Sequence, residues 1–188
     1  MKYILIAVVL ISCFGIPPKT HKQLFDDFHT YFEKADRVQM DQLLTNDFKG
    51  LDENNHVSFR KPEYLDYMFG WNQVFGTKWN VVSVKEEKDK IISVEFDSDI
   101  FNNYFFDGKK ETIYVYSFKN DKIQSIKVDT LPGNAAKTLI FNKRFTQFYN
   151  WVVINFPGKS GYCRGSDKAS AMEVKALLEK YLVTQKSN

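Results

Sequence analysis

Apolar residues recur at helical spacing through Leu24, Phe25, Phe28, Tyr31 and Phe32, while Asp26, Asp27, Glu33 and Lys34 fall on the other side. That periodicity predicts an amphipathic helix with one broad buried face. Thr20 and Gln23 precede it at capping-box spacing, which lets a hydroxyl and an amide satisfy the first free backbone N–H groups. Asp36 is then placed to cap a second short helix that buries Val38, Met40, Leu43 and Leu44. Two short extended pieces, residues 48–51 and 57–59, flank the turn-forming Asp52-Glu53-Asn54-Asn55. Pro62 suits a first helical turn, and Leu65, Met68, Phe69 and Phe75 carry the helical pattern on until Gly76 ends it.

Four strands are predicted next, over residues 79–87, 91–106, 111–119 and 122–128. Asp107-Gly108 reads as a tight primed turn joining the middle pair, because such turns need positive φ at both central positions. Lys88-Asp89-Lys90 and Asn120-Asp121 close the other two hairpins. The second strand is too long to stay flat, so a bulge or bend is expected near Asn102-Asn103. After the break Leu131-Pro132-Gly133, Asn134 is placed to cap a helix with the stripe Phe141, Phe145, Phe148 and Val152. A glycine-rich loop over residues 157–165 leads to a last helix striped by Val174, Leu177, Leu178, Tyr181 and Leu182.

The N-terminus carries a different signal. One early Lys2 and an apolar run end in Leu10-Ile11-Ser12-Cys13, which resembles the lipobox of bacterial lipoproteins, where cleavage precedes a lipid-modified cysteine. The run stops at Pro17-Pro18-Lys19, short of the ~20 apolar residues of a membrane span. The small-x-small pattern of an ordinary secretory signal is missing before the cut. The expected organisation is therefore a signal over residues 1–12 and a tether over 13–19, anchored to membrane by lipid on Cys13. A main domain over 20–130 and a two-helix extension over 131–188 follow. Phe14 stands where an inner-membrane retention aspartate would, which favours an outer-membrane address facing the periplasm. Acylation of Cys13 would leave Cys163 unpaired.

Composition adds limits. Hydrophobic residues at 44% and aromatic residues at 16% suffice for a packed core, and a net charge of +3 is too weak a field to argue for nucleic acid.

The order of elements, with the Leu24 to Phe32 helix, the segment ADRVQMDQLLTNDF, the helix after Pro62 and the closing NDKIQSIKVD, resembles the nuclear-transport-factor-2-like fold and its SnoaL-like branch. The resemblance covers residues 23–129. It implies an α+β domain in which a curved antiparallel sheet wraps helices as a cone with a pocket at its mouth. Relatives include isomerases, dehydratases, cyclases and proteins without catalysis, so fold alone does not assign chemistry. The C-terminal helix pair is expected to fold over the sheet. It would cover the face through which relatives often dimerise and leave a monomer.

The resemblance places the tyrosine of the steroid-isomerase branch near Phe28 and its base near Asp52. Phenylalanine cannot donate a hydrogen bond, and a turn explains Asp52 by itself. Asp97 and Asp99 share a strand face and could bind a cation or act as acid and base. With Ile92, Val94 and Phe96 lining the cone, that face is expected to point to solvent. Tyr64, Tyr67 and Trp71 recur on one side of the Pro62 helix, and Tyr114 and Tyr116 share a strand face that could meet them as a pocket wall. The alternative for all five is ordinary core packing. His21, His29 and His56 have no metal-site spacing, Cys163 has no histidine nearby in sequence, and Gly158-Lys159-Ser160 lacks the rest of a phosphate loop. No cofactor is indicated. Two readings survive: a non-catalytic envelope lipoprotein binding a small apolar ligand or a protein partner, and a SnoaL-like lyase or isomerase using Asp52 or Asp97/Asp99 with a pocket tyrosine.

Overall fold

The computed structural model describes residues 18–186, so Leu10-Ile11-Ser12-Cys13 lies outside the described residues. The capping box forms: the Gln23 N–H donates to Thr20 Oγ1 at 3.2 Å and the Thr20 N–H to Gln23 Oε1 at 2.9 Å. It starts α1 (His21–Glu33), which buries Leu24, Phe25, Phe28 and Phe32. The Asp36 carboxylate accepts from the Gln39 N–H at 3.0 Å and starts α2 (Arg37–Leu43). Met40 and Leu43 are buried as expected, but Val38 is 65% exposed. Two residues before Met40 on a helix, it sits on the opposite side.

Six strands form one sheet: β1 (Leu44–Leu51), β2 (Val57–Arg60), β3 (Lys78–Glu86), β4 (Lys90–Ser98), β5 (Thr112–Lys119) and β6 (Lys122–Asp129). Their order is β2-β1-β6-β5-β4-β3, with β1 and β6 parallel and every other pair antiparallel. Asn120 and Asp121, with φ of 51° and 55°, make the primed turn between β5 and β6. The second predicted strand is corrected: it stops at Ser98, and α5 (Ile100–Phe105) takes the rest. Asp99 starts that helix by accepting the Asn102 N–H at 2.7 Å, so Asn102 and Asn103 lie in a helical turn and not at a bend in a strand. Asp107 and Gly108 do have positive φ, 56° and 86°, but they end α5, with the Gly108 N–H bonded to the Asn103 carbonyl at 2.9 Å. The bulge falls in β3, between Val81 and Ser83.

The helix after β2 is composite: α3 (Lys61–Asp66), a π-helical segment Tyr67–Asn72, and α4 (Gln73–Phe75), ended by Gly76 at φ 66°. One core joins α1, α2 and α3 to the concave face of the sheet. A second core lies beyond it, where Phe75 and Phe105 meet Phe148 and Val152 of α6 (Asn134–Asn155) and Val174, Leu177, Leu178 and Tyr181 of α7 (Lys168–Lys186). The predicted stripes of both helices thus bury as a pair. They pack on the π segment, α4 and α5, not over the sheet. Ile92, Val94, Phe96, Ile113 and Val115 on the convex side stay partly exposed, which removes the argument from coverage to a monomer. Asn134 is not a cap either; its amide donates to the Glu111 carbonyl at 2.8 Å. The architecture is α+β: a curved, open sheet packed on helices, with a C-terminal helical extension. Among the described residues no helix is long and apolar enough to cross a membrane.

Candidate functional site: an aromatic pocket with a buried carboxyl

The composite helix and the concave face of the sheet line a half-open cavity of about 550 Å³. That is the size range of small-molecule sites. The helix contributes Tyr64, Tyr67, Met68 and Asn72; the sheet contributes Trp79, Asp97, Tyr114, Ile126 and Val128; Asp52, Glu53, Asn54 and Phe59 come from the β1–β2 hairpin. Its rings touch one another: Phe59 stacks on Tyr67 at 5.4 Å between centroids, and Trp79 meets Tyr114 edge to face at 5.4 Å. Among the described residues the hydroxyls of Tyr64, Tyr67 and Tyr114 make no hydrogen bond with one another or with other side chains. Burial raises the pKa of all three, so they remain neutral donors at physiological pH.

Strand β4 presents the face opposite to the one expected. Ile91, Ser93 and Glu95 are buried, and Asp97 continues the same side into the cavity, while Ile92, Val94 and Phe96 face outward. Cross-strand register explains this, because Ile91 pairs with Tyr116 and Ser93 with Tyr114, and directly opposed residues share a face. Glu95 is 0% exposed and accepts from the hydroxyls of Ser93 and of Tyr116, the latter at 3.0 Å. His29 Nε2 of α1 stands 3.6 Å from Glu95 Oε1. Asp97 is the carboxyl of β4 that reaches the cavity, and its Oδ1 is buried without a partner. Its pKa is pushed up to about 7, first by burial and then by the negative charges of Asp99 and Glu95, against a weaker opposing pull from Lys110.

The other candidate carboxylates are held in structural roles. Asp99 accepts from the Asn102 N–H and Asn102 Nδ2, both at 2.7 Å, and from Thr77 Oγ1 at 2.6 Å. Asp52 lies at the cavity rim but accepts from the backbone N–H groups of Asn54 and His56 at 2.9 and 2.8 Å, bonds that lower its pKa. The five aromatic candidates divide. Tyr64, Tyr67 and Tyr114 line the cavity, whereas Tyr116 is wholly buried beside Glu95 and Trp71 packs with Phe75 and Phe101 in the second core. The π segment is the reason for Trp71: with more residues per turn than an α-helix, it rotates Trp71 out of line with Tyr64 and Tyr67.

His21 stacks on Phe118 at 4.2 Å and His56 lies in the Asp52 turn, so the three histidines are far apart in role as in sequence. Among the described residues no group of three or more side chains is arranged to hold a metal ion. Cys163 is half-buried, which raises its thiol pKa, and Gly158-Lys159-Ser160 falls within a 3-10 helix. Sequence reasoning missed Glu95, His29, Trp79 and Asn72. The parity of β4 against the two strand tyrosines would have found Glu95. Asn72 carried no local signal.

No protein-family model and no curated protein matches the chain. Solved structures share its fold class. An uncharacterized cystatin-fold protein from Novosphingobium aromaticivorans is 10% identical, with 58% of this chain and 97% of that one covered and a TM-score of 0.50. A nuclear-transport-factor-2-like protein of unknown function from Cytophaga hutchinsonii is 14% identical over 62% and 95% of the two chains, TM-score 0.48. A steroid delta-isomerase from Pseudomonas aeruginosa is 12% identical over 71% and 98%, TM-score 0.47. At these identities the likeness is one of fold.

Proposed function

We propose that this chain is an envelope lipoprotein whose cavity binds a small, largely apolar molecule without transforming it. The observation that carries the binding reading is the cavity itself: aromatic walls around Asp97, with Asp52 and Asp99 each committed to backbone bonds. Aromatic rings supply apolar area at low entropy cost, and a few placed polar groups orient what they hold. The Leu10-Ile11-Ser12-Cys13 segment supports a lipid tether on Cys13 at the outer membrane, facing the periplasm. Native mass spectrometry of the purified full-length protein tests the binding reading. One defined compound retained at stoichiometric amount is expected. An empty cavity together with a measurable turnover lost in Asp97→Asn would replace binding by catalysis. For the tether, radioactive fatty acid should label the protein in intact cells and fail to label Cys13→Ala.

A second reading is an isomerase, dehydratase or cyclase in which Asp97 moves the proton. It is favoured by one observation, a carboxyl held at about 7, where it can both take and give a proton near neutral pH. In that reading the hydroxyls of Tyr67 and Tyr114 would hold a developing oxyanion.

A further inference from the structure

We infer that the molecule taken by this cavity carries a positive charge, an amine or quaternary ammonium group on an apolar body, with Asp97 as its counter-ion. This rests on the cavity being the binding site proposed above. Three observations converge. Every charged residue lining the cavity is acidic, Asp52, Glu53 and Asp97, with no lysine, arginine or histidine among them. Asp97 Oδ1 is buried with no partner, so the free protein leaves its hydrogen-bonding capacity unmet. The rest of the wall is rich in phenol and indole rings, the surface that attracts organic cations through the ring quadrupole.

The nearest alternative counter-charge is Lys110. It lies in an adjoining cleft that shares Tyr67, Asp97, Tyr114 and Val128 with the cavity, with its ammonium 4.6 Å from the centroid of Phe106, and it forms no ion pair with Asp97 among the described residues. An anionic ligand would meet Asp97 and, behind it, Glu95 and Asp99. Like charges at such separations repel strongly away from bulk water. A neutral ligand without a donor group would fill the rings and leave the carboxyl unmatched, and one with a donor would leave its charge unpaired. An ammonium group offsets its charge, donates to Oδ1 where it carries an N–H, and lies against the aromatic wall.

The groups around Asp97 that bear on its charge are Glu95 on its own strand, Asp99 at the start of α5, Lys110 from the α5–β5 loop, and the phenols Tyr64 from α3, Tyr67 from the π segment and Tyr114 from β5, all three neutral. A cation should therefore bind better as pH rises through neutrality, when Asp97 ionises.

The test titrates the purified full-length protein, by calorimetry at pH 8 and again at pH 5.5, with three probes of one shape. They are benzyltrimethylammonium, its uncharged carbon isostere neopentylbenzene, and anionic benzylsulfonate. The expected result is ammonium binding about tenfold or more tighter than the isostere at pH 8, a smaller preference at pH 5.5, and loss of the preference in Asp97→Asn with the isostere still bound. Equal binding of ammonium and isostere overturns the charge inference and leaves the cavity a binding site. Tighter binding of the sulfonate overturns it too, as does a preference that survives in Asp97→Asn. Binding of none of the three overturns the binding reading with it.

Discussion

Replacing Asp97 with asparagine removes one ionisable group from the cavity wall and keeps its shape. The carboxyl titrates near its ordinary 3.8 when the chain is unfolded and at about 7 in the folded protein, chiefly because burial disfavours its charge. The folded state therefore holds the proton more tightly between these values. Stability from this group is fully present below pH 3.8 and is lost as pH rises through about 7. At about 1.4 kcal/mol per pH decade of shift, the ceiling is about 4 kcal/mol. Asparagine cannot ionise, so Asp97→Asn should match the parent at pH 4.5 to within about 1 kcal/mol and exceed it at pH 8 by about 2–4 kcal/mol. Urea denaturation followed by tryptophan fluorescence across this range measures the difference directly. Asp47, Asp52, Glu87 and Asp167 have lowered values, so their contributions are lost as pH falls below the ordinary carboxylate range, outside this window and common to both proteins. Parallel profiles for the two proteins would refute the reasoning.

Two further substitutions test the frame that holds the site. Gly70→Ala in the π segment puts a Cβ 3.1 Å from the Lys168 backbone nitrogen and 3.4 Å from its Cα, so the start of α7 must give by a few tenths of an ångström; against the about 1 kcal/mol that alanine gains over glycine in a helix, a net loss of up to about 2 kcal/mol in chemical denaturation is expected, and a net gain would deny that α7 is seated tightly on the π segment. Asp99→Ala removes the cap of α5 and the bond to Thr77, which should cost about 1–2 kcal/mol while leaving Asp97→Asn-sensitive ligand binding in place; loss of binding instead would give Asp99 a part in the site.

Local rules placed most of the elements because their signals are local. The Thr20 box, the Asp36 cap, the Asn120-Asp121 turn and the stop at Gly76 each act within a few residues, and each stands where the chain pattern puts it. Errors arose where one signal has two meanings. Asp107-Gly108 supplies positive φ equally well to a primed hairpin and to a helix C-terminus, and Asp99 can belong to a strand or start a helix. Ile100, Phe101, Tyr104 and Phe105 have high strand propensity as a run. They also fall at helical spacing, and the second core formed by α6 and α7 decides between these by burying Phe105. The π segment had no signature at all: it changes the phase of a helix without changing its apolar composition, and so it sends Trp71 to one core and leaves Tyr67 in another.

The inward face of β4 was legible by parity, although hydrophobicity argued the other way. In an antiparallel pair the residue numbers of opposed positions add to a constant, so odd positions of β4 oppose even positions of β5 throughout. A two-residue Asp107-Gly108 turn gives the same parity as the observed pairing of Ile91 with Tyr116 and of Ser93 with Tyr114. If Tyr114 and Tyr116 face the cone, then Glu95 and Asp97 must face it with them for any connection that keeps that sum odd. Ile92, Val94 and Phe96 outnumber polar residues on their side and still lose the core. The tyrosines of β5 pack against Phe25, Phe28 and Trp79, and that aromatic contact, unavailable to the other face, fixes the register of the whole strand. The consequence is chemical: the same registration that buries the rings carries two carboxyls in with them, Glu95 in the core with hydroxyls on its Oε1 and none on its Oε2, and Asp97 with its unpartnered Oδ1 against the cavity. Its position against the cavity is what makes Asp97, among the acids of this chain, the one whose removal should change what the protein binds.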